Sequence, residues 1–226
     1  MLKKTLVVLA KKISRKNLIN FIKKDLLNLK KTKNDIRLLN VGSGGEIFDL
    51  IKNIRFKSVL SIDIDKSRNP DKVIDVCDED FIQKINFKPN CIVVCEVIEH
   101  LKNPFLAIKN LETVLDKDGY LILSSPFILG IHDAPNDYFR YTEYGLKLLL
   151  QNFEIISLKK RNNGIFDIVF VLLIRMFQEK KLSNKIFGTS FLVFYYIFFP
   201  IIFMINKIFV SQNLTTGYYV LAKKIN

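Results

Sequence analysis

Five short apolar runs between residues 36 and 126 constrain the fold of this 226-residue chain more than any other feature. They read IRLLNV, KSVLSIDI, KVIDV, NCIVVCE and GYLILSSP, and all are rich in valine, isoleucine or leucine. Runs that are apolar on both faces are typical of parallel strands covered by helices on both sides. Because the intervening segments are long enough for crossover helices, the pattern predicts a βαβ series and therefore an α/β fold.

Helix signals lie between and before these runs. NPFLAIKNLETVL starts at Asn103-Pro104 and ends before Asp118-Gly119, and TEYGLKLLLQN starts at Thr142, a residue suited to an N-cap. Residues 1–34 are basic and carry apolar residues at roughly helical spacing, with an apolar stretch too short for a signal peptide. We predict an N-terminal amphipathic helix that packs on the domain or lies on a membrane, followed by one domain over residues 35–226.

A glycine-rich turn, LLNVGSGGE, follows the first predicted strand and opens a predicted helix. Gly42 and Gly44 allow the backbone to turn tightly and to approach a ligand at the helix N-terminus. The next strand ends in Asp63, where a carboxylate can accept both hydroxyls of a ribose. The turn lacks the Gly-Lys-Ser/Thr of a triphosphate-binding loop and the third glycine of a dinucleotide-binding turn, so both of those interpretations weaken.

Together, these motifs resemble the class I S-adenosylmethionine-dependent methyltransferases, from about residue 36 to the end. The motifs that carry the resemblance are LLNVGSGGE, SIDID, VIDVCDEDF, CIVVCEVIEHLKNP and LDKDGYLILSSP, in the family's order. The resemblance implies a Rossmann-like, seven-stranded, mostly parallel sheet in the order 3-2-1-4-5-7-6, with helices on both faces. It also implies that TTGYYVLAKK is the antiparallel last strand, and that the cofactor is S-adenosyl-L-methionine.

The resemblance also assigns roles to residues around the cofactor. It implies that the glycines face the methionine moiety, that Asp63 holds the ribose, and that Glu96 lies beside the sulfonium. It places Asp75 at the adenine amino group. The chain departs from the family pattern at Asn40, where an acid is usual, and at Glu46, where a glycine is usual. The full predicted cofactor-binding set is Asn40, Gly42, Gly44, Asp63, Asp75, Val76 and Glu96.

The stretch SSPFILGIHDAPNDYFRYTEYGL lies where the family places its acceptor-facing loop. It resembles the loop of a bacterial subgroup associated with saccharide and envelope-glycan pathways. His132 is the candidate general base, because an imidazole with a pKa near ~6.5 can take a proton from an attacking hydroxyl. Asp137, or Asp133, is the candidate that orients it. Arg140 either anchors the acceptor or fixes the loop to the next helix.

The segment EVIEHL supports an alternative interpretation. Glu96, Glu99 and His100, together with His132, resemble the divalent-metal site of small-RNA 3′-end methyltransferases. The formal net charge of +13 would then favour RNA. The same charge also fits a lysine-rich composition with no selected partner, and the Glu-His-Leu sequence occurs in metal-independent relatives. Metal and nucleic acid therefore remain an alternative, and the main prediction contains no metal.

Residues 164–212 form an apolar insert before the last strand. Residues 186–206, IFGTSFLVFYYIFFPIIFMIN, carry no charge, and by their number they are sufficient for a helix that spans a bilayer. Since the chain must return to complete the sheet, a single crossing does not fit. We predict a helical hairpin that dips into one leaflet, with lysines toward anionic headgroups and a kink at Pro200. A soluble lid or a dimer interface is the other interpretation.

Three cysteines, Cys77, Cys91 and Cys95, have neither the density of a disulfide framework nor the spacing of a zinc site, which indicates a reducing compartment. We therefore predict a cytoplasmic enzyme that is either free in the cytoplasm or peripheral at the inner face of the cell membrane. The predicted reaction is methyl transfer from S-adenosylmethionine to a hydroxyl of a small-molecule, sugar or lipid-linked glycan acceptor. The alternatives are a metal-dependent RNA 2′-O-methyltransferase and a non-catalytic, membrane-associated scaffold.

Overall fold

The computed structural model describes residues 8–9, 11–33, 35–173, 176 and 180–225, so the first seven residues of the predicted N-terminal helix lie outside it. The chain divides into two compact units. We call the larger one the sheet unit; it contains Leu18–Ser125, Asp133–Lys159 and Tyr219–Asn226. We call the other the helical unit; it contains Met1–Asn17, Pro126–His132 and Lys160–Tyr218. The predicted division into an N-terminal helix region over residues 1–34 and a domain over residues 35–226 stays a prediction.

Within the described residues, seven strands form one sheet in the order β3-β2-β1-β4-β5-β7-β6. The strands are β1 (Arg37–Val41), β2 (Ser58–Asp63), β3 (Lys72–Val73), β4 (Cys91–Cys95), β5 (Tyr120–Pro126), β6 (Phe153–Lys160) and β7 (Gly217–Lys224). β1 pairs in parallel with β2 and β4, β2 with β3, and β4 with β5. β7 runs antiparallel to β5, since the backbone N–H of Lys224 donates to the carbonyl of Gly119 and the backbone N–H of Phe127 donates to the carbonyl of Thr216. The predicted fold class is confirmed.

Among its described residues, the sheet unit contains five α-helices: α1 (Leu18–Thr32), α2 (Gly45–Ile54), α3 (Phe81–Ile85), α4 (Pro104–Val114) and α5 (Glu143–Leu149). The predicted helix starts are observed. The side chain of Asn103 accepts from the backbone N–H of Leu106, and that of Thr142 from Gly145. Leu38 and Leu39 point to opposite faces of β1 and are both fully buried, so both faces of the sheet are covered at this strand.

The N-terminal amphipathic segment packs on the sheet unit rather than standing apart from it. Leu18, Ile22 and Leu26 of α1 are fully buried in one core cluster with residues of β1, β4 and β7. Residues 8–9 and 11–14 are also helical, but Asn17 adopts a left-handed conformation with φ of 68° and separates them from α1. The continuous helix expected over this region is therefore two segments.

The helical unit contains α6 (Ile165–Leu173), α7 (Leu182–Ile197) and α8 (Phe199–Ile208). The rings of Phe170 and Tyr195 join α6 to α7, with centroids 4.0 Å apart. The predicted kink is observed, because Pro200 lies in the first turn of α8 and α7 and α8 meet at 80°. Among the helices that the structure describes, none alone has the length and apolarity to cross a membrane; α7 and α8 taken together do, as a bent pair.

Candidate active site

A pocket in the sheet unit lies at the carboxyl ends of the parallel strands, the edge where open α/β sheets bind ligands. Five of the seven predicted cofactor residues line it, and they come from segments that follow four different strands. They are Gly42 after β1, Asp63 at the end of β2, Asp75 and Val76 after β3, and Glu96 after β4. Residues far apart in the sequence thus meet at one edge because the strands run in parallel.

The glycine turn has a backbone that only glycine adopts readily. Gly42 and Gly44 have φ of 91° and 84°, and a Cβ added to Gly42 would lie 2.7 Å from Cγ2 of Val97, which also lines the pocket. The N–H of Gly42 donates to the carbonyl of Ile62 at 2.8 Å and ties the turn to β2. Gly44 caps α2 and is exposed, and Glu46 lies in the first turn of that helix, where a negative charge is favourable.

Asn40 lies behind the turn and supports it. Its side chain is almost fully buried, and its Nδ2 donates to the carbonyl of Gly42 at 2.8 Å and to Oγ of Ser61 at 3.1 Å. A carboxylate at this position could not make either donation, which explains why the chain can carry an amide where the family usually has an acid. This arrangement gives Asn40 a positioning role, and a direct contact with the cofactor stays a prediction.

Asp63 is held in a fixed orientation by backbone donors. Its Oδ2 accepts from the N–H of Ser43 at 2.7 Å and its Oδ1 from the N–H of Asp65 at 2.9 Å. Oγ of Ser43 lies 2.6 Å from Oγ of Ser61, so the turn and β2 are joined at a second point. Each carboxylate oxygen keeps further acceptor capacity, which is what binding a diol requires.

The segment after β3 is fixed by a residue that sequence reasoning missed. Asn110 of α4 is buried, and its Nδ2 donates to the carbonyls of Val76 and Asp78, both at 2.9 Å. Val76 is buried, whereas Asp75 is exposed and accepts from the N–H of Cys77 at 2.8 Å. An asparagine inside a helix with the apolar spacing of α4 gave a local hint of this role, but its partners lie more than 30 residues away.

Glu96 adopts a strained backbone at the end of β4. Its φ is 58°, a value uncommon for residues other than glycine and often associated with functional positions. Its N–H donates to the carbonyl of Ser124 at 3.0 Å, and its Oε1 accepts from Oγ of the same serine at 3.0 Å. These contacts with β5 hold the carboxylate in the wall of the pocket.

In the acceptor-loop region, Asp137 and Arg140 form a bidentate ion pair. Both carboxylate oxygens accept from the guanidinium at 2.6 Å, and the Asp137 side chain is only 2% exposed. The hydrogen bond with Asp137 raises the pKa of Arg140. A carboxylate bound at both oxygens is a weak base, so this geometry favours a positioning role for Asp137. His132 belongs to the helical unit and is partly buried; its role as general base stays a prediction.

His100 and Glu99 follow β4 in a short 3-10 turn. Nδ1 of His100 lies 2.5 Å from the carbonyl of Asn136 and therefore donates to it, while Nε2 lies 3.8 Å from Oε1 of Glu99. Backbone N–H groups of Tyr138 and Phe139 donate to the carbonyl of Glu99 at 2.9 and 3.1 Å. His100 and Glu99 thus connect the turn to the following loop. The metal alternative built on Glu96, Glu99, His100 and His132 stays untested.

This sheet order, with a glycine turn after β1 and acids after β2, β3 and β4, defines the Rossmann-like methyltransferase fold. The sequence matches a family model described as a methyltransferase domain over residues 14–158. The chain therefore belongs to the methyltransferase domain family. No curated protein sequence matches the chain significantly.

Solved structures of low sequence identity share the fold. A SAM-dependent methyltransferase from Archaeoglobus fulgidus has a TM-score of 0.56 at 15% identity, with 91% of this chain and 94% of that chain covered. A putative sarcosine dimethylglycine methyltransferase from Galdieria sulphuraria has a TM-score of 0.58 at 10% identity, with 92% and 85% covered. Coclaurine N-methyltransferase, bound to N-methylheliamine and SAH, has a TM-score of 0.54 at 16% identity, with 89% and 72% covered.

The family and the fold confirm the predicted class of enzyme, a methyltransferase, and S-adenosylmethionine as its cofactor. The residues present fit this cofactor. The turn at Gly42 keeps open a space that a Cβ would close, and the Asp63 carboxylate is already oriented by two backbone donors. The expected saccharide and envelope subgroup stays a prediction.

Proposed function

We propose that the protein transfers a methyl group from S-adenosylmethionine, bound in the sheet-unit pocket, to a hydroxyl of a sugar or lipid-linked glycan. The observation that carries the cofactor site is the convergence of Gly42, Asp63, Asp75 and Glu96 on one pocket from four strand ends. Three of these four residues carry carboxylates, which suit a ligand that bears hydroxyls, an amino group and a positive charge.

Each carboxylate has a distinct proposed task. Asp63 accepts hydrogen bonds from the ribose hydroxyls, and Asp75, an exposed residue of the pocket lining, accepts from the adenine amino group. Glu96 lies on the wall next to Gly42 and Val97 and stabilises positive charge near the methionine end. The bound cofactor supplies an electrophilic methyl group on a sulfonium, and the protein's part is to position the acceptor in line and exclude water.

Removal of the acceptor's proton requires a base, and we assign it to His132. A neutral imidazole nitrogen can accept the hydroxyl proton as the methyl group transfers. The Asp137–Arg140 ion pair holds the shape of the loop that follows. On this basis, His132→Asn lowers kcat and changes the pH profile while the affinity for S-adenosylmethionine stays within about twofold of the wild type.

A lipid-linked acceptor is supported by the surface of the helical unit. Large apolar side chains of α7 and α8 remain at least two-fifths exposed across the bent pair; these include Phe187, Val193, Phe194, Ile197, Ile201, Met204 and Ile208. Many exposed apolar side chains on two consecutive helices are typical of sites that contact lipids or protein partners. We therefore propose that the enzyme works as a peripheral protein at the cytoplasmic face of the membrane, where a lipid-linked sugar would be accessible.

The decisive experiment uses S-adenosylmethionine with an isotope-labelled methyl group. Full-length protein is incubated separately with a glycolipid extract, a water-soluble metabolite extract and total RNA, all from cells that lack the gene. We expect label in an alkali-stable methyl ether of a glycolipid, and no transfer with His132→Asn. Label only in RNA, lost on addition of a chelator, would overturn the proposal in favour of the metal-dependent alternative. Tight cofactor binding without transfer to either extract would favour the scaffold interpretation.

A further inference from the structure

A second cavity lies wholly within the helical unit. It has a volume of about 580 Å³, within the ~300–1,000 Å³ range of small-molecule sites. Its wall is mostly apolar and aromatic, and is formed by the N-terminal segment, α7 and α8. Leu9, Ile13, Tyr195, Phe199, Pro200 and Phe203 supply most of this apolar lining. A site of this composition favours a hydrocarbon ligand over a polar one.

One end of the cavity is polar and built around a buried carboxylate. Asp167 is 3% exposed and accepts from Nζ of Lys16 at 2.9 Å, from the hydroxyl of Tyr195 at 2.7 Å and from Nδ2 of Asn206 at 2.8 Å. Nδ2 of Asn162 donates to it as well, at 3.0 Å. With four donors, Asp167 has little capacity left for a ligand. Its role is to hold Lys16 at the cavity wall.

Lys12 gives the lining of the cavity a net positive charge. It lies four residues before Lys16, is exposed, and lines the same cavity. Among the described lining residues, two lysines thus face one carboxylate, and that carboxylate is already bound to Lys16. The ligand that complements this charge is an anion, whereas the ligand that complements the wall is a hydrocarbon chain. Both properties together describe an anionic amphiphile.

We propose that the cavity binds the hydrocarbon chain of a lipid phosphate, with its phosphate group at Lys12 and Lys16. This site goes beyond the proposed methyl transfer, and its test does not depend on that activity. The entrance supports a lipid, since Tyr196, Phe199 and Phe203 line the cavity while remaining 69%, 49% and 43% exposed. A chain that leaves a bilayer next to the apolar surface of α7 and α8 would meet these rings first.

The test uses the full-length protein and calorimetric titration with dodecyl phosphate below its micelle concentration. We expect saturable binding of one molecule per chain. Dodecyl maltoside, which has the same chain and a neutral headgroup, is expected to bind at least about fivefold more weakly, since a lysine near an anionic headgroup contributes ~1 kcal/mol. Inorganic phosphate alone is expected to give no saturable binding. Equal affinity for the two detergents would overturn the recognition of an anion.

Two matched pairs of variants separate the cavity from general adsorption. Lys12→Ala is expected to weaken dodecyl phosphate binding about fivefold, and Lys11→Ala, at the exposed neighbouring position outside the lining, to leave it unchanged. Phe203→Glu places a carboxylate in the cavity rim, whereas Ile201→Glu places one on the exposed face of the same helix. If both glutamate variants reduce binding equally, the ligand adsorbs to the surface and the cavity proposal fails.

Vesicles identify the source of the lipid phosphate. If the source is a membrane phospholipid, phosphatidylglycerol vesicles displace dodecyl phosphate and phosphatidylcholine vesicles do not. If the source is a phosphate monoester of a long-chain alcohol, neither vesicle displaces it. Both results support the site. A second copy of the chain is the competing occupant, and a dimer that dodecyl phosphate does not dissociate, with no calorimetric signal, would overturn the proposal.

Discussion

The backbone N–H of Ser43 donates to Oδ2 of Asp63 at 2.7 Å, so the glycine turn after β1 and the acid at the end of β2 form one connected unit. The contact spans 20 residues of sequence and is possible because β1 and β2 run in parallel and in register, with Val41 opposite Ile62. The turn and the carboxylate therefore affect each other's position. A substitution at either end is expected to disturb both backbone geometry and ligand affinity.

Replacing Asp63 with alanine removes the carboxylate that we propose binds the ribose, and with it the acceptor for two backbone N–H groups. Hydrogen bonds to a charged group contribute ~1.5–3 kcal/mol each, so the affinity for S-adenosylmethionine is expected to fall by about 10- to 100-fold or more. Calorimetric titration measures this directly. Asp49→Ala, at an exposed position of α2, is the matched control and is expected to bind like the wild type. Unchanged affinity in Asp63→Ala would remove Asp63 from the site.

Gly42→Ala tests whether the turn requires glycine. The residue has φ of 91°, and its new Cβ would lie 2.7 Å from Cγ2 of Val97, so we expect a loss of stability of about 1–3 kcal/mol in urea unfolding. Gly145→Ala in α5 is the control, since its Cβ would lie 3.6 Å from its nearest neighbour, Oγ1 of Thr142, and alanine favours helix by ~0.5–1 kcal/mol.

A double variant, Gly42→Ala with Val97→Ala, divides the effect at Gly42 into two causes. Removing the Val97 side chain relieves the close contact but leaves the unfavourable φ. Partial recovery of stability is therefore expected, relative to Val97→Ala alone. Complete recovery would show that space, and not backbone conformation, is what requires glycine at this position.

The five parallel strands and the glycine turn were predictable from local patterns, whereas the strand order was implied only by the resemblance to the methyltransferase family. Runs apolar on both faces indicate covered parallel strands, and a glycine turn followed by an acid one strand later indicates a nucleoside site. The start of α4 at Asn103-Pro104 and the break at Pro200 were predictable for the same reason, since each depends on the chemistry of one or two residues.

The features that were missed depend on contacts between distant segments. Asn110 supports the loop at Val76 from another helix. Asn40 was predicted as a cofactor-binding residue, but its support of the turn through Gly42 and Ser61 was not. The helix break at Asn17 leaves only a weak local signal, because asparagine tolerates a left-handed conformation without requiring it. In the sequence, Asp167 is an isolated charge in an apolar helix. In the structure, its partners come from three other segments of the helical unit. No periodic pattern records such contacts.

Asp137→Asn tests whether Asp137 positions the loop or takes part in the reaction. The ion pair with Arg140 has hydrogen bonds to both carboxylate oxygens and is largely buried, so its loss is expected to lower stability by about 1.5–3 kcal/mol. Glu143→Gln, which breaks the exposed pair with Lys147 at 3.5 Å, is expected to cost less than about 0.5 kcal/mol.

Arg140→Lys distinguishes the two roles of Asp137. Lysine keeps the charge but cannot donate to both carboxylate oxygens in the bidentate geometry of arginine. If Asp137 has a positioning role, Arg140→Lys is therefore expected to lower stability and kcat together, as Asp137→Asn does. The double variant is then expected to be little worse than either single one. If Asp137→Asn abolishes turnover with full stability while Arg140→Lys retains it, Asp137 acts directly in the reaction.

Tyr219→Phe tests the bond that joins α1 to β7. The hydroxyl of Tyr219 donates to Oδ2 of Asp25 at 2.7 Å between two buried side chains, and phenylalanine would leave that carboxylate without this donor, at a cost of about 1–3 kcal/mol.

Burial, and then the bond to Asp25, raises the pKa of Tyr219 above its usual value. The stability that this shift contributes is present below pH ~10, the pKa of an unfolded tyrosine, and is lost as the pH rises further. The free energy of unfolding, measured in urea between pH 8 and 11, should therefore fall more steeply with pH in the wild type than in Tyr219→Phe, by up to ~1.4 kcal/mol per pH unit.

Burial of Cys91 raises the pKa of its thiol to about 12, and this contributes equally to the alkaline loss of stability in both proteins. Tyr144→Phe, at a ring 74% exposed, is the control. Equal alkaline slopes in the wild type and Tyr219→Phe would contradict the assignment of this bond to the buried interface.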